Sequence, residues 1–459
     1  MAIEDDVLVI GGGLAGVTAA LAAAEYGDRV RLLSYKQSTL RHASGLIDVL
    51  GYAPGGCESG DGDGDGSGNG DGTGESNGDG EERRDGLLVD PFDAIPGLPA
   101  GHPYERVGLE RVREALLFFD SIVGDAYEGG HTAANALVPT VGGTVKPTAR
   151  YPASVAHGLA SDSRPTLLVG FETMPAFDAP LSAAHLRAAD VPFPVRGATI
   201  PFPGELRDDA KRTRYAHVLD WDESVDTGTG AGDAPARAVL AETIRPHLER
   251  EARLGLPAVL GEEHPGVIRR DLEERLGVDV FEVPTGPPSL PGMRLEDLLY
   301  GALEEYGVRV TTGVPVVDHE ASDGGRRVDH VLVDRKGQEV PYRADEYVLA
   351  TGGLVGKGVR SSRDGVTEPI FDCHVPHPED RYDWFVDDAF GDQPFARFGV
   401  AVDHELRPLD AREEPEFENL RAAGGVVGGA DFAAEKSGSG VSLATGYAAG
   451  RRAGAEVGK

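Results

Sequence analysis

The sequence predicts an α/β protein built around a nucleotide-binding βαβ unit, and three observations predict it. The apolar run Val7 to Ile10 passes straight into Gly11-x-Gly13-x-x-Gly16 and an Ala-rich helical stretch, Val17 to Tyr26. A second apolar run, RVRLLS, follows immediately. In the last third the pattern returns: short strands end in Ala350-Thr351-Gly352-Gly353, and a closing helix opens at Gly438-x-Gly440. The first and last thirds would then share one domain, with the middle of the chain inserted into it.

In the opening unit each glycine has a physical task. Gly11 permits the tight turn, Gly13 the close approach of a phosphate, and Gly16 the packing of helix on strand, while the helix N-terminus attracts anionic charge. The second strand normally ends in an acidic residue that holds a ribose; here the chain reads Leu33-Ser34-Tyr35-Lys36, so Ser34 stands at that place. Residues 7–24 are nearly free of charge, yet Glu4, Asp5 and Asp6 precede them and four glycines interrupt them. That pattern argues against a signal peptide or membrane helix.

A nicotinamide enzyme would continue with further βαβ units, whereas this chain continues KQSTLRHASGLIDVL. The stretch, with Gln37, Ser38, Ser44, Gly45 and Asp48, resembles the segment where flavoproteins of the succinate dehydrogenase and fumarate reductase type lay the isoalloxazine against the backbone. A polar loop capping a helix is the alternative reading of the same residues. From Gly55 to Gly86 the chain is almost wholly Gly, Asp, Glu, Ser and Asn. It cannot bury enough apolar surface to order itself and is expected to be a disordered surface loop. Its Asp-Gly alternation lacks the fixed spacing and terminal Glu of a calcium loop.

Beyond the loop, apolar residues at helical spacing predict a helix over 109–125, and alternation around Gly142-Gly143 predicts a hairpin over 135–152. Residues 153–290, with the strand TLLVGF and helical stretches at 235–254 and 264–276, are read as an inserted α+β substrate or cap domain. A helix over 295–307, the strand RVTTG and a β-meander then lead to Ala-Thr-Gly-Gly. Residues 417–454 supply a strand, the turn Gly428-Gly429-Ala430-Asp431 and the closing helix. The nucleotide domain is thus expected from 1–54, 87–152 and 291–459, separated by the loop 55–86 and the insertion 153–290. Thr351, Gly352, Gly353, Gly429, Asp431, Gly438 and Gly440 join the earlier glycines as candidate cofactor contacts, Asp431 as acceptor from a ribityl hydroxyl and the helix start through its amides.

Composition narrows the partners. The 459 residues carry a net charge of −33, which excludes nucleic acid as a natural partner. Residues 57–86 account for −8, so −25 is spread over the remainder. Such a pervasively acidic surface suits a salt-rich cytosol. Only Cys57 and Cys373 are present, too few for a disulfide framework, a zinc site or an iron–sulfur cluster, and Cys373-His374 with His377 does not complete a metal set. Electrons leaving through clusters would need another polypeptide.

Across nearly the whole chain outside the Gly/Asp loop, the segments VIGGGLAG, QSTLRHASGLIDVL, HPYERVG, PTVGGTVKPTA, EVPTGPPSLPGMRL, LATGGLVGKGV, TEPIFD, RFGVAVDHELRP and GGVVGGADFAAEKSGSGVSLATGYAAG resemble the B subunits of anaerobic glycerol-3-phosphate dehydrogenases. The resemblance implies a Rossmann-like two-dinucleotide-binding flavoprotein fold. It also implies work alongside an FAD-containing A subunit and an iron–sulfur C subunit that delivers electrons to membrane quinone, with the chain itself cytoplasmic and touching membrane only through partners. It further implies FMN, which has no adenosine for a ribose clamp to hold and so suits Ser34; FAD is the alternative.

Oxidising the secondary alcohol of glycerol 3-phosphate to dihydroxyacetone phosphate needs a base for the hydroxyl proton and cations for the phosphate ester. His131 is the candidate base, and Lys146, Arg150 and Arg294 are candidate phosphate ligands. Two other readings stand beside this one: a stand-alone flavin oxidoreductase of the fumarate reductase type, and a non-catalytic flavin-containing interaction subunit.

Overall fold

The computed structural model describes residues 3–27, 29–36, 38–54, 86–208, 210–227, 232–389 and 391–457; Gln37 and the Gly/Asp tract 55–85, including Cys57, lie outside the described residues. Strand β1 (Ile3–Ile10) leads into helix α1 (Leu14–Ala24) and strand β2 (Val30–Ser34). Helix α2 (Leu109–Val123) and the antiparallel hairpin of β3 (Ala136–Pro139) with β4 (Val145–Thr148) follow. The chain then builds β5 (Thr166–Phe171), α3 (Ala179–Ala188), β6 (Val195–Ile200), α4 (Ala236–Ile244), β7 (Arg253–Pro257), α5 (Pro265–Leu276) and β8 (Asp279–Val283). It returns through α6 (Leu290–Glu305), β9 (Arg309–Thr312), β10 (Val316–Ser322), β11 (Arg327–Asp334), β12 (Glu339–Leu349), β13 (Leu420–Ala422) and α7 (Gly438–Val457).

The larger sheet runs β9-β2-β1-β12-β11-β10, with β13 also paired to β12. Strands β9, β2, β1, β12 and β13 are parallel, while β12, β11 and β10 form an antiparallel meander. Opening and closing thirds therefore interleave in one sheet. Ile10 pairs with Leu349, so β1 and β12 end side by side and both release into glycine turns. That shared carboxyl edge is where open α/β sheets take ligands. At the opposite end the buried Asp5 receives Arg31 at 2.6 Å and Arg309 at 3.1 Å, tying β1 to β2 and β9.

Helix α7 lies against α1 through glycines. A Cβ on Gly446, Gly450 or Gly454 would fall 2.4, 2.1 or 2.8 Å from the carbonyl oxygens of Ala15, Ala19 and Ala23 respectively. Small residues four apart on both helices let the backbones touch, and this contact fixes where the start of α7 sits.

The second sheet, order β8-β7-β5-β6, is parallel throughout with helices between its strands. This corrects two expectations: the insertion is an α/β layer rather than α+β, and the helical stretch 235–254 ends at Ile244. The run RLGLP is buried along its whole length, so it shows no alternation that would mark it as a strand. Fully buried Arg253 anchors this layer by donating to the carbonyls of His157, Leu159, Asp162 and Arg164. Among the described residues no helix is long and apolar enough to cross a membrane.

Candidate cofactor site

The three glycines of the first turn answer to different demands. Gly11 has φ +124° and its Cβ would lie 2.1 Å from the oxygen of Ala350; a Cβ on Gly16 would lie 1.8 Å from the oxygen of Gly11. Both are fixed by packing. Gly13, at φ −83°, would place a Cβ no nearer than 3.4 Å to Thr39 Oγ1, and no side chain caps α1. The space before this helix start is open, as a phosphate requires.

Beyond it, Ser34 Oγ donates to the carbonyl of Lys36 at 2.8 Å, and Tyr300 Oη donates to the carbonyl of Gly12 at 3.1 Å. Ser34 thus sits beside the glycine turn at the end of β2. A cavity of about 480 Å³ opens here, lined by Ser34, Ser38, Arg41, Glu296, Tyr300 and Thr312 among others. Its size falls in the range of about 300–1,000 Å³ typical of small-molecule sites. A carboxylate does line this cavity, but it comes from α6 as Glu296, paired with Arg41. Nothing in the order of residues along β2 could have announced it.

A second set of groups gathers where the segment after β2 meets α7. Ser38 Oγ and Ser44 Oγ accept from Leu40 N and Leu46 N at 3.2 and 3.4 Å, each turning the chain locally. Gly45, at φ +79°, faces Pro291 and accepts from Tyr127 Oη at 2.8 Å. Asp48 donates its N–H to Ser439 Oγ at 2.8 Å and accepts from Gly440 N at 2.7 Å, while its Oδ2 meets Lys146 Nζ at 2.8 Å. Burial pushes the Asp48 carboxyl up to about 6 against the pull of Lys146 and Lys436. Its Oδ1 and Thr351 Oγ1 are buried without a hydrogen-bond partner among the described residues. In the Thr351 turn, Gly352 has φ +84° and a Cβ on Gly353 would lie 2.5 Å from the oxygen of Gly425.

In the closing segment one expectation is corrected, the open amide at Gly440, and Gly429 and Asp431 carry contacts within the chain. Gly440 gives its amide to Asp48 rather than to open space, and its Cβ would stand 2.3 Å from Tyr104 Oη. Gly429, at φ +96°, is fixed by the carbonyl of Gly101, 2.4 Å from its Cβ position. Asp431 Oδ1 caps the turn 432–435 by accepting from Ala433 N and Ala434 N at 3.1 and 2.9 Å. Gly438, the first residue of α7, would set a Cβ 3.4 Å from that of Phe432, an ordinary contact.

Beneath this turn lies a buried pair that sequence reasoning missed. Tyr104 N donates to His102 Nδ1 at 3.1 Å, which leaves Nε2–H to donate to Glu435 Oε2 at 3.2 Å. Ser437 Oγ and Asp431 N donate to the same carboxylate at 2.8 and 3.0 Å. The HPYERVG segment was the available signal. Each of these groups is occupied, so the pair scaffolds the turn.

The candidate catalytic residues are not brought together as free groups. His131 lies in an exposed turn. Arg150 donates to both oxygens of Asp120, at 2.7 and 2.9 Å, and to the carbonyls of Gly129 and Ala149. Arg294 is forked onto buried Glu282 at 2.6 and 3.0 Å and also reaches the carbonyl of Gly261. Burial raises the Glu282 carboxyl, but Arg294, Ser154 and Leu260 N outweigh it and hold it below the usual range. Lys146 is taken by Asp48. Arg294 also lines a cavity of about 650 Å³ between the two lobes, with Tyr127, Ser154, Arg269, Glu262 and Asp297. Tyr127, which lines it, is the residue that donates to the carbonyl of Gly45.

The open start of α1, the cavity beyond β2 and the two unpartnered buried oxygens fit a dinucleotide flavin. The chain matches the family described as FAD binding domain over residues 6–441. A Halobacterium salinarum protein, named as a probable B subunit of anaerobic glycerol-3-phosphate dehydrogenase, is 58% identical over 454 residues, 99% of this chain and 98% of that protein. A Pectobacterium carotovorum protein, named as the B subunit of the same dehydrogenase, is 30% identical over 451 residues, 95% of this chain and 96% of that protein. A Vibrio cholerae protein of that name is 28% identical, covering 96% and 94%. Of the two flavins expected from the sequence, the family description is that of FAD.

Proposed function

Because this chain belongs to the family of anaerobic glycerol-3-phosphate dehydrogenase B subunits and carries an FAD-binding domain, we propose that it is an FAD-holding member of a quinone-linked complex that oxidises glycerol 3-phosphate to dihydroxyacetone phosphate. In this reading it works with an FAD-containing A subunit and an iron–sulfur C subunit, and it meets the membrane only through them. The observation that carries it is the open, uncapped start of α1 at Gly13, continuous in chemistry with the cavity beyond Ser34. Gly13 and the first turn of α1 would face the pyrophosphate, and Glu296 and Tyr300 stand where the adenosine half would lie. The FAD would supply acceptance of the two electrons removed from the alcohol.

A specific observation favours placing the alcohol on a partner subunit. The three cations expected to hold a phosphate ester, Lys146, Arg150 and Arg294, are each neutralised by a carboxylate, Asp48, Asp120 and Glu282. A phosphate dianion entering near them would meet no uncompensated charge from these three. In that form of the proposal this chain relays electrons.

Two steps test it. Cofactor released by heat from the purified chain is resolved as FAD or FMN, and FAD is expected. Glycerol 3-phosphate is then added anaerobically to the chain alone and to the complex. Bleaching of flavin in the isolated chain would put oxidation here, bleaching of its flavin only in the complex would make it the relay, and absence of flavin from the chain would overturn both.

A further inference from the structure

We propose that Asp48 is a positioning residue for the FAD: its free Oδ1 accepts a hydrogen bond from the flavin bound at the start of α7, and its charge, partnered by Lys146, sets how readily that flavin is reduced. The inference rests on the FAD reading above.

Four observations carry it. Asp48 is only 7% exposed, and one of its two carboxylate oxygens has no donor among the described residues. A buried acceptor left without a donor costs about 1–3 kcal/mol, more when charged, so the position is expected to receive a donor from a ligand. The residue is clamped from both sides of its peptide, by Ser439 Oγ on its N–H and by Gly440 N on its carbonyl. Its side chain is thereby held at the first turn of a 20-residue helix.

The other oxygen is held by Lys146 at 2.8 Å from hairpin strand β4, and Lys436 contributes from the turn before α7. Flavins offer both ring N–H groups and ribityl hydroxyls as donors. A carboxylate beside the ring also opposes the arrival of electrons, and an adjacent ammonium moderates that opposition. Asp48 and Lys146 therefore form a charge pair whose balance the flavin would sense, while their contacts to α7 tie that balance to the helix that closes the fold.

The experiment uses the full-length FAD-loaded protein. The midpoint potential is measured for wild type, Asp48→Asn and Lys146→Met, and FAD affinity is measured on the apoprotein of wild type and Asp48→Ala. Asp48→Asn is expected to shift the reduced-to-oxidised ratio at fixed potential about tenfold toward reduced, about 30 mV upward for a two-electron couple. Lys146→Met is expected to move the potential downward, and Asp48→Ala to bind FAD at least about tenfold more weakly. If Asp48→Asn does not fold, Lys146→Met, altered at a partly exposed site, decides. Wild type that takes up no FAD overturns the flavin reading and this inference together. FAD uptake with potentials and affinity unchanged in the variants overturns this inference alone and leaves the pair a scaffold.

Discussion

Gly13 and Gly440 each lie at the start of a helix within a glycine motif, yet their surroundings set opposite expectations. Gly13 has ordinary backbone angles and room for a methyl group, so Gly13→Ala should leave the melting temperature of the apoprotein nearly unchanged while weakening FAD binding about tenfold or more. Gly440→Ala drives a methyl group to 2.3 Å from Tyr104 Oη and should cost about 1–3 kcal/mol in denaturant unfolding. Reversal of this order in paired melting and titration measurements would remove the argument for a ligand at Gly13. The titrating groups also differ in sign. Asp48 rises from 3.8 unfolded to about 6 folded, so its ionisation opposes folding, and that penalty is absent below about pH 4 and complete above about pH 6. Relative to wild type, apo Asp48→Asn should therefore gain stability across that window, by about 3 kcal/mol. Glu282 runs the other way: its folded value is depressed, so its contribution is present above the ordinary carboxylate range and is lost as pH falls through the folded value. Glu282→Gln should cost about 3–5 kcal/mol near neutrality, read by chemical denaturation, because it strands Arg294. The sequence displayed Lys146, Arg150 and Arg294 as cations but hid their carboxylates, which come from other elements. Charge is legible residue by residue, and neutralisation is a property of the fold.

Among elements, the pairing of α1 with α7 does most to place the site, since it sets the position of the first turn of α7 against Asp48. Gly450→Val would put two further methyl groups where a Cβ already lies 2.1 Å from the carbonyl of Ala19. It should lower the melting temperature and FAD affinity together, and a loss of either one alone would separate helix docking from cofactor binding. The nucleotide unit, the hairpin, α2, α5, the meander and α7 were all legible because period, glycine placement and turn residues agreed. Strand β7 was not, because a strand buried on both faces shows no alternation, and the preceding helical periodicity ran on into it unopposed. Glu296 was not legible as a neighbour of β2 because α6 reaches that edge from beyond the whole inserted layer. The bridge between Tyr52 and Leu87 already joins the chain on both sides of the Gly/Asp tract. Replacement of residues 55–85 by a short Gly/Ser linker should accordingly leave the melting temperature within about 2 °C.

For the molecule as a whole, the charge of −33 is a standing self-repulsion that screening relieves. Melting temperature should rise steadily as potassium chloride is raised from about 0.1 M, where the Debye length is near 10 Å, to about 1 M, where it is near 3 Å. A flat profile would mean that the buried pairs, rather than surface charge, limit stability. The interleaved sheet has a further consequence, for synthesis. Strand β1 takes β12 as its neighbour, and β13 and α7 complete that face only at the far end of the chain. During translation β1 and β2 can therefore pair with each other at once, but the other edge of β1 must wait for β12 to emerge at residues 339–349, while the inserted parallel layer has all four of its strands in hand by residue 283. That layer is positioned to fold first, and a nascent chain halted before residue 420 would display the naked edge of its own nucleotide sheet to chaperones and proteases.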